Sequence, residues 1–235
     1  MKKHISELVM ACLLLVSFFF LSRQAAEVSN ALNARETKAK VIAVDPGHGG
    51  ADPGMLGIDD LEEKKINLEI SLKLKKVLEE RGFAVVMTRE EDKGLYDDAS
   101  RNQKSQDMQR RIALINETKP DLTVSIHQNS YQDSSVKGPQ VFYFQHSAEG
   151  EKLAKILQKS LNEGLDVERA REAKANATYY LLKRSEGVLV IAECGFLTNP
   201  DEAALLQTEE YQNRVAAALA EGIAAYLESG GTAEE

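Results

Sequence analysis

The stretch KVIAVDPGHGG, residues 40 to 50, joins a short apolar run to a loop holding three glycines, a proline and one histidine. The run KVIAV has the composition of a strand buried on both faces, and such strands belong to sheets covered by helices on either side. Pro46, Gly47, Gly49 and Gly50 then let the chain turn sharply and bring backbone close to a ligand. His48 stands inside that turn, a costly place for a histidine unless something binds there.

The same alternation continues downstream. FAVVMT (83 to 88), DLTVSI (121 to 126), PQVFYF (139 to 144) and VLVIA (188 to 192) read as further strands. Between and after them run helical stripes. Ile66, Ile70, Leu74, Val77 and Leu78 mark a helix from about 62 to 81, Met108, Ile112 and Ile115 a second, and Leu153, Ile156, Leu157 and Leu161 a third. Tyr211, Val215, Leu219, Ile223 and Leu227 mark the last. These stripes read as core packing. The pattern predicts a single α/β domain with a mostly parallel or mixed central sheet of about six strands and helices on both faces. A chain of 235 residues has room for one such domain once its ends are set aside, and no internal repeat is visible.

The N-terminus reads as an export segment. Lys2 and Lys3 precede the uninterrupted apolar run LVMACLLLVSFFFL, residues 8 to 21. A 14-residue helix covers roughly 21 Å against a hydrocarbon core of ~30 Å, which favours a signal peptide. SRQAAE, downstream, offers no clean small-residue cleavage site, which favours an uncleaved anchor. Both readings stay open. VMAC loosely resembles a lipoprotein box, but the apolar run continues well past Cys12. The expected layout is a signal peptide or membrane anchor at 1–24, a tether at 25–38, the folded domain at 39–229 and a disordered tail at 230–235. Cys194 is the one cysteine outside the export segment, so the exported part forms no internal disulfide. A net charge of -8 argues against a nucleic-acid partner.

There are four histidines. His4 sits in the charged head, and His146 reads as a surface or capping residue. His48 and His127 each stand just past the C-terminal end of an apolar strand, the edge where open α/β sheets bind ligands. VLVIA ends in Glu193, so two histidines and a carboxylate converge if these strands are parallel neighbours. Helical spacing adds Glu63, three and seven residues before Ile66 and Ile70 and so on the inward face. Asp60 to Glu63 is equally a capping-box spacing, and spacing does not choose between the two. Two imidazoles and a carboxylate can hold a catalytic zinc with a position left for water, and a further carboxylate, Glu193, can move the proton. The rival for the HGG turn, a serine-esterase oxyanion loop, requires a G-x-S-x-G elbow that the chain lacks.

Five ordered blocks carry a resemblance: DPGHGG-x-DPG (45 to 54), EKKINL (63 to 68), MTR (87 to 89), SIHQN (125 to 129) and ECGFLTN (193 to 199). They resemble the signature blocks of the zinc-dependent N-acetylmuramoyl-L-alanine amidases of the amidase-3 type. The resemblance implies one zinc ion held by His48, Glu63 and His127, with Glu193 as the catalytic carboxylate. The bond implied is the amide between the lactyl group of N-acetylmuramic acid and the L-alanine of the stem peptide. The substrate would be peptidoglycan glycan strands with stem peptides, outside the membrane. The short layout, the tether and RNQKSQDMQRRIALIN (101 to 116) most resemble the spore-cortex, germination-specific enzymes, which prepare muramic acid for δ-lactam formation; a vegetative autolysin is the alternative.

Asn67, one turn after Glu63, and Arg111 are candidate substrate contacts, with a capping asparagine and a solvated arginine as the plainer readings; Asn129 is a third candidate. Gln128 and Ser130 stand where the family often has alanine. Cys194 reads as a packing residue or as a second, inhibiting metal contact. Residues 128 to 138 are too few for the blocking helix that some relatives insert there, so control would come from substrate or a partner, and some clostridial relatives need a lipoprotein activator. The membrane is a further partner if the N-terminal segment is uncleaved. Two rival functions on the same polymer are a non-catalytic binding module and a zinc sugar deacetylase; the first is disfavoured because all four metal and catalytic positions are present.

Overall fold

A computed structural model describes residues 39–230 together with Arg23. Apart from Arg23, the expected export segment and tether, with His4 and Cys12, lie outside the described residues, as does the tail beyond residue 230. No helix among the described residues is long and apolar enough to cross a membrane.

Six strands form one mixed sheet: β1 (Val41–Pro46), β2 (Ala84–Met87), β3 (Leu122–Asn129), β4 (Gln140–Phe144), β5 (Lys174–Asn176) and β6 (Leu189–Phe196), in the order β2-β1-β3-β6-β4-β5. The first four in that order run parallel; β4 is antiparallel to β6, and β5 parallel to β4. The helices are α1 (Glu63–Glu80), α2 (Gln103–Thr118), α3 (Ala148–Gly164), α4 (Tyr180–Arg184), α5 (Pro200–Leu206) and α6 (Glu209–Glu228). β5, α4 and α5 carry no signal in the sequence, because segments this short cannot display a hydrophobic period. β2 is an edge strand, paired with β1 alone, and is correspondingly half-exposed.

Alternation of side chains along the strands divides the interior in two. Ile42 and Val44 of β1, Val124 and Ile126 of β3, and Val190 and Ala192 of β6 enter the larger core. There they meet Ile66, Ile70 and Leu74 of α1, Leu153 and Leu157 of α3, and Val215, Leu219 and Ile223 of α6. α6 packs against both α1 and α3. On the opposite face Phe142, Leu189 and Ile191 meet Ile115 of α2 and Leu181 and Leu182 of α4. Toward the C-terminal ends of the parallel strands this second face turns polar. Asp45 follows Val44, Ser125 and His127 flank Ile126, and Glu193 follows Ile191 by two residues. The parallel register pairs His127 with Glu193, so both side chains leave the sheet on the same side.

Helix starts follow their chemistry. Asn102, Ser147, Asn199 and Thr208 cap α2, α3, α5 and α6 through their side chains. α1 has no such cap: Glu62 at that position makes no side-chain bond, and the carboxylate of Glu63 is directed elsewhere.

Leu74 is fully buried at the centre of the larger core. Leu74→Ala is expected to lower the unfolding free energy by about 2–5 kcal/mol without changing the urea m-value. Urea unfolding followed by circular dichroism checks this, and a loss well under 1 kcal/mol on the scale of ordinary surface substitutions would contradict the packing described.

Candidate active site

The loop after β1 is shaped by close approach. Gly47 donates to the Ile126 carbonyl (3.0 Å), which holds the loop against the end of β3. A Cβ at Gly47 would lie 2.3 Å from Cε1 of His127, and one at Gly54 would lie 2.5 Å from a carboxylate oxygen of Glu63. Only glycine lets the chain pass there. His48 itself adopts the left-handed conformation (φ 62°), followed by Gly49 (φ 132°) and Gly50 (φ 59°). For a non-glycine residue that conformation costs about 1–3 kcal/mol, which surrounding contacts must hold in place. One of them is short: Nδ1 of His48 lies 2.8 Å from the Asp52 carboxylate. The other ring nitrogen, Nε2, is thereby aimed at Glu63, 3.1 Å away.

Glu63 is 2% exposed and joins both histidines. One of its oxygens lies 2.9 Å from Nδ1 of His127 and accepts from Asn67 Nδ2 (3.1 Å) and the Gln128 amide (3.1 Å). The other accepts from the Met55 amide (2.9 Å) and faces His48. Asp60 sits in a separate 3-10 turn, Ile58–Asp60, so the capping-box reading of this spacing falls away. A ligand atom from each of His48, Glu63 and His127 lies within 4.8 Å of the others. Among the described residues these three are a possible metal-binding group.

The electrostatics favour positive charge at this point. Burial would raise the Glu63 carboxyl, yet hydrogen bonds and charge from His127 and His48 outweigh it and hold the group well below the usual carboxylate range. Burial would lower the His48 imidazole, yet Asp52 and Glu63 raise it to about 9.

Glu193 has the opposite environment. It is 8% exposed, and its Oε2 is buried with no hydrogen-bond partner. Burial is the main cause that lifts its carboxyl to about 7; His127 and His48 pull it down, and Glu63 pushes it up. Buried polar atoms normally have partners. A carboxyl left unpaired beside two imidazoles, with a pKa near neutrality, is suited to take up and give back a proton.

The remaining expected residues are placed differently. Asn67 is fully buried, donating to Gly47 O (3.2 Å) and Glu63 and accepting from Gln128 Nε2 (3.2 Å). Arg111 is 1% exposed, its Nε 2.6 Å from Asp107 and its Nη1 2.8 Å from Asp45. Both side chains are engaged within the protein, so Arg111 is not a solvated arginine, and it also lies in the lining of the cavity over the site. Asn129 is half-buried in the cavity wall, and its side-chain oxygen accepts from the Ser130 amide (2.8 Å). Cys194, one residue past Glu193, points into the larger core and is fully buried, which leaves it a packing residue. His146 is exposed beside the cap of α3. The segment from Ser130 to Pro139 contains no helix.

The cavity over these groups, of about 420 Å³, is walled by Met55, Met108, Tyr179 and Tyr180, with Lys104 among its lining. The tyrosines carried no signal in the sequence because α4 is too short to show one. Asp52 could have been found: it stands four residues after His48, within one turn's reach of its ring.

The family profile described as N-acetylmuramoyl-L-alanine amidase matches residues 42–225. The chain is 37% identical over 199 residues to the germination-specific N-acetylmuramoyl-L-alanine amidase of Bacillus subtilis (strain 168), covering 83% of each. Among solved structures it is similar to the CwlD amidase from Clostridioides difficile in complex with the GerS lipoprotein, with a TM-score of 0.78, 38% identity, and 80% of this chain and 98% of that one covered. It is also similar to an N-acetylmuramoyl-L-alanine amidase from Clostridium difficile 630, with a TM-score of 0.74, 30% identity, and 82% and 99% covered.

A carboxyl whose pKa rises on folding binds its proton more tightly when folded. The Glu193 contribution is therefore most favourable below its ordinary value of 4.5 and is lost as pH rises toward about 7. In chelator-treated protein, Glu193→Gln should match the wild type at about pH 4 and exceed it in stability by up to about 3 kcal/mol at about pH 8. Thermal melts across this range check the sign; a gap that is constant with pH would refute it.

Proposed function

The chain belongs to the family of N-acetylmuramoyl-L-alanine amidases and is a peptidoglycan hydrolase, and from that premise we propose that His48, Glu63 and His127 hold one zinc ion while Glu193 carries the proton. The donor set fits zinc. It comprises two imidazoles and a carboxylate with no thiolate, and the second nitrogen of His48 is held by Asp52, the outer contact that zinc-binding histidines ordinarily have. When bound, zinc lowers the pKa of water toward ~7 and polarises a carbonyl.

The chain's own residues do the rest. Water adds to the carbonyl carbon of the lactyl-L-alanine amide and the C–N bond breaks. Glu193 accepts the water's proton and returns it to the departing nitrogen, leaving a lactyl carboxylate and a stem peptide with a free L-alanine amino group. Its unpartnered Oε2 beside the imidazoles is the observation that carries this role. Met55, Met108, Tyr179 and Tyr180 give the cavity an apolar wall on one side of the reacting groups.

The physiological substrate in this reading is spore-cortex peptidoglycan, stripped of stem peptides ahead of muramic-δ-lactam formation. Similarity to the germination-specific Bacillus subtilis enzyme supports it. The complex of the Clostridioides difficile relative with a lipoprotein supports a lipoprotein partner here. Action is extracytoplasmic, with the N-terminal segment serving as export signal or membrane anchor, and the net charge of -8 fits no nucleic-acid role.

Mass spectrometry of digested muropeptides should show free stem peptides beginning with L-alanine, whereas release of acetate would indicate a deacetylase. Glu193→Gln is expected to lower kcat by about 10²- to 10⁴-fold, and chelation to abolish activity until zinc is restored. A fully active Glu193→Gln enzyme would sink the mechanism, and equal rates on cortex and vegetative wall would sink the spore assignment.

A further inference from the structure

Two arginines that the hydrolysis does not use lie buried under the metal-binding loop. Arg89, from the MTR block just past β2, is 5% exposed, and Arg111 of α2 is 1% exposed. Their guanidinium groups are turned toward backbone. Arg111 Nη1 donates to the Pro46 carbonyl (2.7 Å) and Nη2 to the His48 carbonyl. Arg89 Nε donates to the same Pro46 carbonyl (3.0 Å), and its Nη2 donates to the carbonyls of Gly47 (3.0 Å) and Lys64 (2.8 Å). Three consecutive loop carbonyls and one from the first turn of α1 are thus gathered by two planar forks. The Lys64 contact matters because Glu63 is its neighbour: one arginine holds the backbone beside two of the three metal-binding side chains.

The Arg111 fork is itself fixed. Asp45 accepts from Arg111, Thr88 (2.6 Å) and Ser125 (2.6 Å), and Asp107 takes the Nε of Arg111 and the Leu95 amide (2.5 Å). Two carboxylates balance two guanidinium groups, so the cluster does not oppose a cation above it. Without the forks the carbonyls of Pro46 and His48 would lose these donors, and that of Gly47 would keep the Asn67 amide. Lysine could not replace either fork, since one ammonium cannot reproduce the several directed bonds each guanidinium makes.

We propose that Arg89 and Arg111 are positioning residues that set the spacing of His48 and Glu63 for the metal by clamping the carbonyls of Pro46, Gly47, His48 and Lys64. This rests on the metal-site reading above. The test is zinc affinity, measured by competition with a chromophoric chelator on folded protein well below its melting temperature, beside steady-state kinetics on a soluble muramyl peptide. Arg111→Lys and Arg89→Lys should each lose about 10- to 100-fold in zinc affinity, with kcat reduced and KM unchanged. Wild-type zinc affinity in folded variants, or a raised KM at full kcat, would overturn the proposal, the latter by making the arginine a substrate contact. Should the lysine variants fail to fold, Asp107→Asn keeps both arginines and loosens one anchor; it should show a smaller loss of affinity, and wild-type affinity there counts against the clamp equally. A wild-type protein that binds no zinc would instead remove the metal-site reading itself.

Discussion

The Glu63 carboxylate, buried between His48 and His127, is the contact on which the rest of the site depends. A bare carboxylate at that depth would be strongly unfavourable, and here two imidazoles, two backbone amides and the Asn67 amide surround it. Its position requires three elements to meet: the start of α1, the loop after β1 and the end of β3. Each is constrained in turn. α1 forgoes a side-chain cap at its start, the loop runs through left-handed conformations, and Gly47 packs against the face of the His127 ring.

Stability and function pull in different directions across the sheet. The larger core of α1, α3 and α6 is apolar and fully buried, and it anchors β1, β3 and β6 from one side. The other face carries a smaller apolar cluster and gives its upper part to Asp45, Arg111, His127 and Glu193. Strain at His48 and the unpaired oxygen of Glu193 both lower stability. A domain whose net stability is a small difference between large terms tolerates such features where packing elsewhere is dense. That they collect at the C-terminal edge of the parallel strands follows from geometry, because there the strands end side by side and loops from neighbouring crossovers can converge.

Much of this is legible in the sequence alone. The period-two and period-3.6 patterns located five strands and the four long helices within a few residues, since each has an apolar face long enough to count. His48, His127 and Glu193 were recognisable by their place just past apolar strands, and Glu63 by its offset from Ile66 and Ile70. The pattern was silent on β5, α4 and α5, which are too short for a period, and so on Tyr179 and Tyr180 in the cavity wall. It also gives no sign that Arg111 and Asn67 are buried among protein partners. A polar residue on a helix reads as outward or ligand-facing unless its buried partner is known, and Asp45, the partner of Arg111, lies 66 residues away.

The sequence by itself determined the residue types that can hold a metal and move a proton, the strand ends on which they stand, and the α/β class of the domain. These are properties of local spacing, and a one-dimensional pattern carries them. Tertiary structure alone decided that β6 lies beside β3 in a register pairing Glu193 with His127, that β4 runs antiparallel, that Nε2 of His48 faces Glu63 while Asp52 holds Nδ1, and that Cys194 turns away into the core. Register, hydrogen-bond partners and burial arise between residues far apart in the chain, and no local periodicity encodes which distant group will fill a given bond.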